Sequence, residues 1–115
     1  MSTFVVWLPM LPGDNKEAAR RSSKLVADPS VSQFYDPSRQ VGHAIAASLG
    51  AAGQVAWDIY LFYPAGREWA AAPPAPVDWA HQLGGRSWAD AGRYRSGPGL
   101  VDQLRRSKTG LLTAR

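Results

Sequence analysis

Two runs of β-branched and aromatic residues, "TFVVWL" at 3–8 and "VAWDIYLFY" at 55–63, limit what this chain can become. The first places large apolar groups at consecutive positions, so both faces of the strand it forms need cover. In a chain of 115 residues, the length of one ordinary domain, that cover must come from the helix-patterned segments between the two runs. An α/β fold with one small core follows. Cysteine is absent. Disulfides, thiolate nucleophiles, CxxC redox chemistry and cysteine-based zinc sites are therefore all excluded.

The order of elements is legible from punctuation. Pro9, Pro12 and Gly13 end the first strand, and Asp14 with Glu17 three residues later predicts a capped helix through about residue 27, with Ala18, Ser22, Leu25 and Val26 on its inner side. Asp28-Pro29 stops it. Residues 31–35, "VSQFY", read as a short strand or extended turn. Asp36 as N-cap and Pro37 at the first helical position predict a helix over 37–49, burying Val41, Ala44, Ile45, Ser48 and Leu49 and closing at Gly50. Strand 55–63 turns through "PAG" into a second strand near 67–71, forming a hairpin. A proline-rich run, "PPAPVDW", then leads to a turn of helix over 79–83.

In that order "VWLPML", "QFYD", "WDIYLFY" and "HQL" resemble the C-terminal part of a group of thioredoxin-like proteins, over roughly residues 3–83. The resemblance implies a truncated or divergent thioredoxin-like sandwich, a small mixed sheet with a C-terminal β-hairpin and helices packed on it. Family members carry an upstream strand and a helix that begins with a cysteine pair, and this chain is expected to start after that unit. What it implies is thus the sheet without the redox chemistry. It also puts Trp57-Asp58 where ordinary thioredoxins enter the final hairpin beside their active site, so Asp58 belongs at the mouth of the strand rather than in its middle. There the carboxylate either fastens neighbouring loops by accepting backbone or arginine hydrogen bonds or faces a ligand.

The ligand-binding candidates are Tyr35, Asp36, Trp57, Asp58, Trp79 and His81, which the implied arrangement gathers at one end of the sheet, with Trp57 and Trp79 as walls of a shared pocket. His81, beside Trp79, is expected to hold a structural hydrogen bond, and His43 falls on the polar flank of its helix. No metal-ligand spacing, phosphate loop or nucleophile elbow is present. No cofactor and no catalytic residue is assigned; an enzyme using Asp58 and His81 as acid and base is the weakest of the readings.

Charge separates the chain in two. Residues 1–85 hold six Lys/Arg against seven Asp/Glu, whereas residues 86–115 hold seven against two. With five glycines between 84 and 99, this predicts a single domain over 1–88 and a basic, glycine-rich tail over 89–115 that is partly flexible or a docking helix. Two function classes follow. The first is a non-redox binding or interaction module for a small molecule or peptide. The second is association with nucleic acid or an anionic surface through Arg86, Arg93, Arg95, Arg105, Arg106 and Lys108. The apolar run "FVVWLPML" is too short for a membrane span and lacks a signal peptide's flanks, so the expected compartment is the cytoplasm. Strand 3–8, uncharged and short of a neighbour, predicts a homodimer through that region. With no thiol in the chain, insulin-type disulfide substrates should be reduced no faster than in a buffer blank. Turnover above the blank would contradict this reading.

Overall fold

The computed structural model describes residues 2–26, 28–85 and 88–113. Its elements run β1 (Thr3–Trp7), α1 (Lys16–Ser23), β2 (Val31–Tyr35), α2 (Gln40–Ser48), β3 (Ile59–Phe62), β4 (Asp78–His81), a 3-10 turn (Ala91–Arg93) and α3 (Gly97–Thr113). The fold is mixed α/β. Its strands form two separate pairs: β1 with β2, parallel, and β3 with β4, antiparallel. Among the described residues no helix is long and apolar enough to cross a membrane.

The first unit is held by a glutamine. Gln33, in the middle of β2, accepts from the indole N–H of Trp7 at 3.0 Å. Its amide donates to the carbonyls of Ser23 (3.1 Å), the last residue of α1, and Val26 (2.8 Å), in the turn that follows it. A helix terminus leaves its last carbonyls without intrahelical partners, and here a strand side chain supplies some of them. The helix starts at Asn15, whose side chain accepts from the Ala18 N–H at 2.8 Å. Asp14, expected as the cap, instead accepts from the N–H groups of Met10 (3.1 Å) and Leu11 (2.7 Å) and closes the loop after β1. Because α1 stops at Ser23, Leu25 leaves the inner side predicted for it and is 87% exposed.

The second helix begins three residues later than its proline suggested. Asp36 still caps it, accepting from the Val41 N–H at 2.7 Å, but Arg39 stands at the N-cap with φ of 61°. This left-handed conformation is disfavoured for a residue with a Cβ. The guanidinium offsets it by donating twice to the Pro9 carbonyl, at 3.0 and 2.7 Å. Arg39 thereby ties the start of α2 to the loop leaving β1. Inside α2, Ile45 and Ala46 are buried against Ala56, with Val41, Leu49, Ile59, Leu61 and Trp88 around them.

The run 55–63 is a strand only over Ile59–Phe62. Residues 55 and 56 are drawn to α2 instead: the Ala56 N–H donates to the Gly42 carbonyl at 2.9 Å. The predicted hairpin partner is also corrected. β3 pairs not with residues 67–71 but with β4, in the register Ile59↔His81, Tyr60↔Ala80, Leu61↔Trp79, Phe62↔Asp78. Residues 79–83, read as a turn of helix, thus lie largely in a strand. The ladder extends to Val77 N–H on the Phe62 carbonyl and Gln82 N–H on the Asp58 carbonyl, each 2.9 Å. Local propensity yields here to pairing with a strand already present.

After β4 the chain stays on the same body. Ala89 and Leu100 are buried, and α3, expected to dock on a partner subunit or to move freely, lies on β4 and β3 of its own chain. Its inner stripe is Leu100, Gln103, Leu104, Ser107 and Leu111, while Val101 and Leu112 are exposed.

Gly42 shows how tight the contact between α2 and 55–56 is. A Cβ there would meet Val55 Cγ1 at 2.6 Å, the Ala56 carbonyl oxygen at 3.0 Å and Leu8 Cδ1 at 3.0 Å. Alanine would gain about 1 kcal/mol of helix propensity, but overpacking costs about 1–3 kcal/mol, and one of the obstructing atoms is backbone. Gly42→Ala should therefore lower the melting temperature by several degrees. An equal or higher melting temperature would show that α2 is not seated on 55–56.

Candidate functional site

Among the described residues, two surface clefts differ in whether their polar groups are already engaged. The larger, about 330 Å³, is lined by Asp78, Trp79, Asp90, Arg93, Arg95 and Gln103 among others. Asp78 opens β4 and is its centre. One carboxylate oxygen accepts from Arg93 Nη1 at 3.0 Å and from the Trp79 N–H at 2.9 Å. The other accepts from the Ser107 hydroxyl and from Gln103 Nε2 at 3.4 Å, both on α3. Arg93 also donates to the Trp79 carbonyl at 2.9 Å and lies over the Trp79 indole, 5.1 Å from its centre. Arg95 spends Nη1 on the carbonyls of Gly92 and Tyr94. Partial burial alone would push the Asp78 carboxyl up. The hydrogen bonds from Ser107, Arg93 and the Trp79 N–H, with the positive charge of Arg93, outweigh it and hold the carboxyl below its ordinary value of 3.8.

His81 sits behind this cleft at 1% exposure. Its Nδ1 accepts from the Leu83 N–H at 3.0 Å, which leaves Nε2 to donate to the Asp90 carbonyl at 2.7 Å. The neutral tautomer is fixed by these partners. The expected structural hydrogen bond is thus doubled. Trp79 and Tyr94 flank the ring at 5.8 and 5.9 Å between centres.

The smaller cleft, about 190 Å³, is lined by Met10, Gly53, Gln54, Val55, Trp57 and Trp88. No lining residue carries a charge. Met10 lies just beyond the carboxyl end of β1, and its loop is pinned by Asp14 and by Arg39 on Pro9. Gly53, with φ of 92°, supplies a turn that suits glycine and brings Gln54 and Val55 alongside. Trp88 forms a wall while also packing on the Ile45 core.

The sequence candidates are distributed rather than gathered. Trp57 lines the smaller cleft and Trp79 the larger, so they do not share a pocket. Tyr35 ends β2 half-buried, and Asp36 is engaged as a helix cap. Asp58 stands at the mouth of β3, as expected, but exposed and with φ of 49°. Among the described residues its carboxylate accepts no hydrogen bond, so the expected loop-fastening role falls to Asp14, Asp36, Asp78 and Asp90. Asp58 acts at a distance on Tyr60, whose phenol is pushed up first by burial and then by that negative charge. Exposed Asp58 and closed-off His81 form no acid/base pair.

Of the basic residues, Arg93 and Arg95 are engaged as described, whereas Arg105, Arg106 and Lys108 are exposed on α3. Arg86 lies outside the described residues. His43 is exposed, and among the described residues no cluster of acidic and histidine side chains could hold a metal ion. Sequence reasoning passed over Met10, Gln54, Asp78, Gln103 and Ser107. The available signal was the i, i+4 polar pair Gln103 and Ser107 within the apolar stripe of α3, which requires a polar partner opposite. No protein-family model, curated protein or solved structure matches this chain.

Because the Asp78 carboxyl is held below 3.8, the folded state binds fewer protons than the unfolded one. Its stabilisation is therefore full above that value and is lost as pH falls through the folded-state value. Asp78→Asn should cost roughly 1–2 kcal/mol at pH 7, toward the lower end of charged hydrogen bonds because the side chain is partly open to water. The gap to the parent should close as the pH falls below 3.8. A gap unchanged between neutral and strongly acid pH would show that the carboxylate charge contributes nothing.

Proposed function

We propose that this chain is a non-redox binding module of thioredoxin-like ancestry that takes one uncharged apolar or aromatic side chain of a peptide into the cleft between Met10, Trp57 and Trp88. The observation that carries this is the contrast between the two clefts. In the larger, both carboxylates and both guanidiniums already bond within the protein. In the smaller, two indoles, a thioether and a valine stand around uncharged space. Small-molecule sites usually occupy about 300–1,000 Å³, and 190 Å³ falls below that. A cavity of about 150 Å³ accepts benzene, so the size suits one ring or one branched aliphatic group on a longer ligand. Position favours the same reading, since ligands of α/β proteins gather beyond the carboxyl ends of the strands, where Met10 lies. A mixed α/β order that includes an antiparallel pair supports that ancestry, with the strands here in two separate pairs.

Burial of one such side chain contributes about 1.5–3 kcal/mol, a factor of roughly 10–150 in affinity. The test is a series of blocked peptides, Gly-Gly-X-Gly-Gly with X as Phe, Leu, Ala, Asp or Lys, titrated against the indole N–H resonances. The Phe and Leu peptides should shift Trp57 and Trp88 saturably and at least tenfold more tightly than the Ala peptide, and Trp57→Ala should abolish the effect. No saturable shift, equal response to the Asp and Lys peptides, or a response confined to Trp79 would overturn the proposal.

A further inference from the structure

Apart from the cleft, the geometry points to a second copy of this chain as the partner of β1. The strand has one neighbour, β2, and its outer edge is unpaired among the described residues. Protein edges are usually blunted by charge, proline or a bulge. "TFVVW" has no charge and no proline, and its ladder with β2 runs without a bulge from Thr3↔Val31 to Trp7↔Tyr35. Parallel sheets are usually buried on both faces. Here Gln33 fastens α1 to the face that carries Val5 and Trp7. On the opposite face Phe4 and Phe34 stack with centres 6.4 Å apart while 64% and 55% exposed.

Self-pairing is favoured by register. An antiparallel two-fold centred on Val5 sets Thr3 against Trp7, Phe4 against Val6 and Val5 against its own copy. Each is an aromatic–β-branched or doubly branched pair, the kind that stabilises antiparallel ladders. The exposed rings then join one stripe running Phe34, Val6, Phe4 and back through the copy. The same operation on β2 would set Gln33 against Gln33 and Ser32 against Phe34, which packs less apolar surface and draws on a glutamine already bonded to α1. β1 is therefore the edge that pairs. The chain's net charge of +4 does not oppose this, because neither β1 nor β2 carries a charged residue. The interface is isologous, so the β1 edges of both copies are consumed. A five-residue ladder buries less than a standard interface, so the affinity belongs in the range of about 10–100 μM.

The full chain is tested by light scattering and by cross-linking, which the absence of native cysteine makes clean. Mass should rise from 12.5 kDa toward twice that as concentration increases through the range of about 10–300 μM. Phe4→Lys, at an exposed position, should keep the melt cooperative and weaken association at least tenfold. In the proposed register the two copies of position 5 face each other with Cα atoms about 4.5–5.5 Å apart, within disulfide reach. Those of position 3 are about 13 Å apart. Val5→Cys should therefore form a covalent dimer under mild oxidation much faster than Thr3→Cys, while Thr3→Cys/Trp7→Cys should cross-link as Val5→Cys does. A chain that stays at 12.5 kDa across that range, or equal rates for Val5→Cys and Thr3→Cys, overturns the self-pairing and assigns the edge to a strand of a different protein.

Discussion

The carboxylate of Asp78 is the point on which the second half of the molecule depends. It receives hydrogen bonds from the 3-10 turn through Arg93, from α3 through Ser107 and Gln103, and from its own strand through the Trp79 N–H. If it were removed, Ser107, Gln103 and the Trp79 N–H would lose their charged acceptor, and Arg93 would keep only the longer carboxylate contact to Asp90 at 3.9 Å. Breaking one member of such a network strands the others, which is costlier than the bonds alone suggest. The interaction converts a glycine-rich, basic stretch with little apolar pattern into the outer layer of β3–β4. It also draws one basic residue of that stretch inward, with Arg93 paired to Asp78 and resting on Trp79.

The first half depends on close approach rather than on charge. Ile45, Ala46 and Ala56 make a small core, and small side chains yield little burial energy each. What they permit is contact between backbones, with α2 lying on residues 55 and 56 at Gly42. Arg39 extends that contact by holding the Pro9 carbonyl, so the loop that carries Met10 is fixed by the helix whose other side forms the core. The geometry of the smaller cleft is set by elements that are themselves structural. That is what allows a half-buried methionine and two indoles to keep a gap between them.

Legibility in the sequence followed the range of the interactions. β1, β2 and the body of α2 could be read because their signals are local: β-branched runs, an aspartate cap, a glycine just past the helix end. The break at residues 55–58 could not, because Ala56 is held by Gly42, fourteen residues earlier in a different element. β4 was hidden for the same reason. "DWAH" has no strong propensity of its own and becomes a strand by meeting β3 across a long connection. The two clefts show the same division: Trp57 and Trp79 were recognised as side chains able to line a site, but which cleft each would enter depends on Trp88 and on α3, both distant in sequence.

Asp58 resolves along these lines. An aspartate inside an aromatic run suggests a buried charge needing a partner, and a buried unpaired carboxylate would be costly. The chain avoids that cost by ending the extended run before it. Left-handed backbone costs an ordinary residue about 1–2 kcal/mol, and aspartate is among the few side chains that visit it readily. At φ of 49° it swings the chain from the path set by Gly42 and Ala56 onto the line of β3, leaving its carboxylate in water and its carbonyl free to accept the Gln82 N–H. Trp57, one residue before the bend, is thereby kept out of the β3–β4 ladder and left beside Met10 and Trp88. The charged residue that looked like a candidate for chemistry is a conformational one, and its consequence is where it leaves the tryptophan.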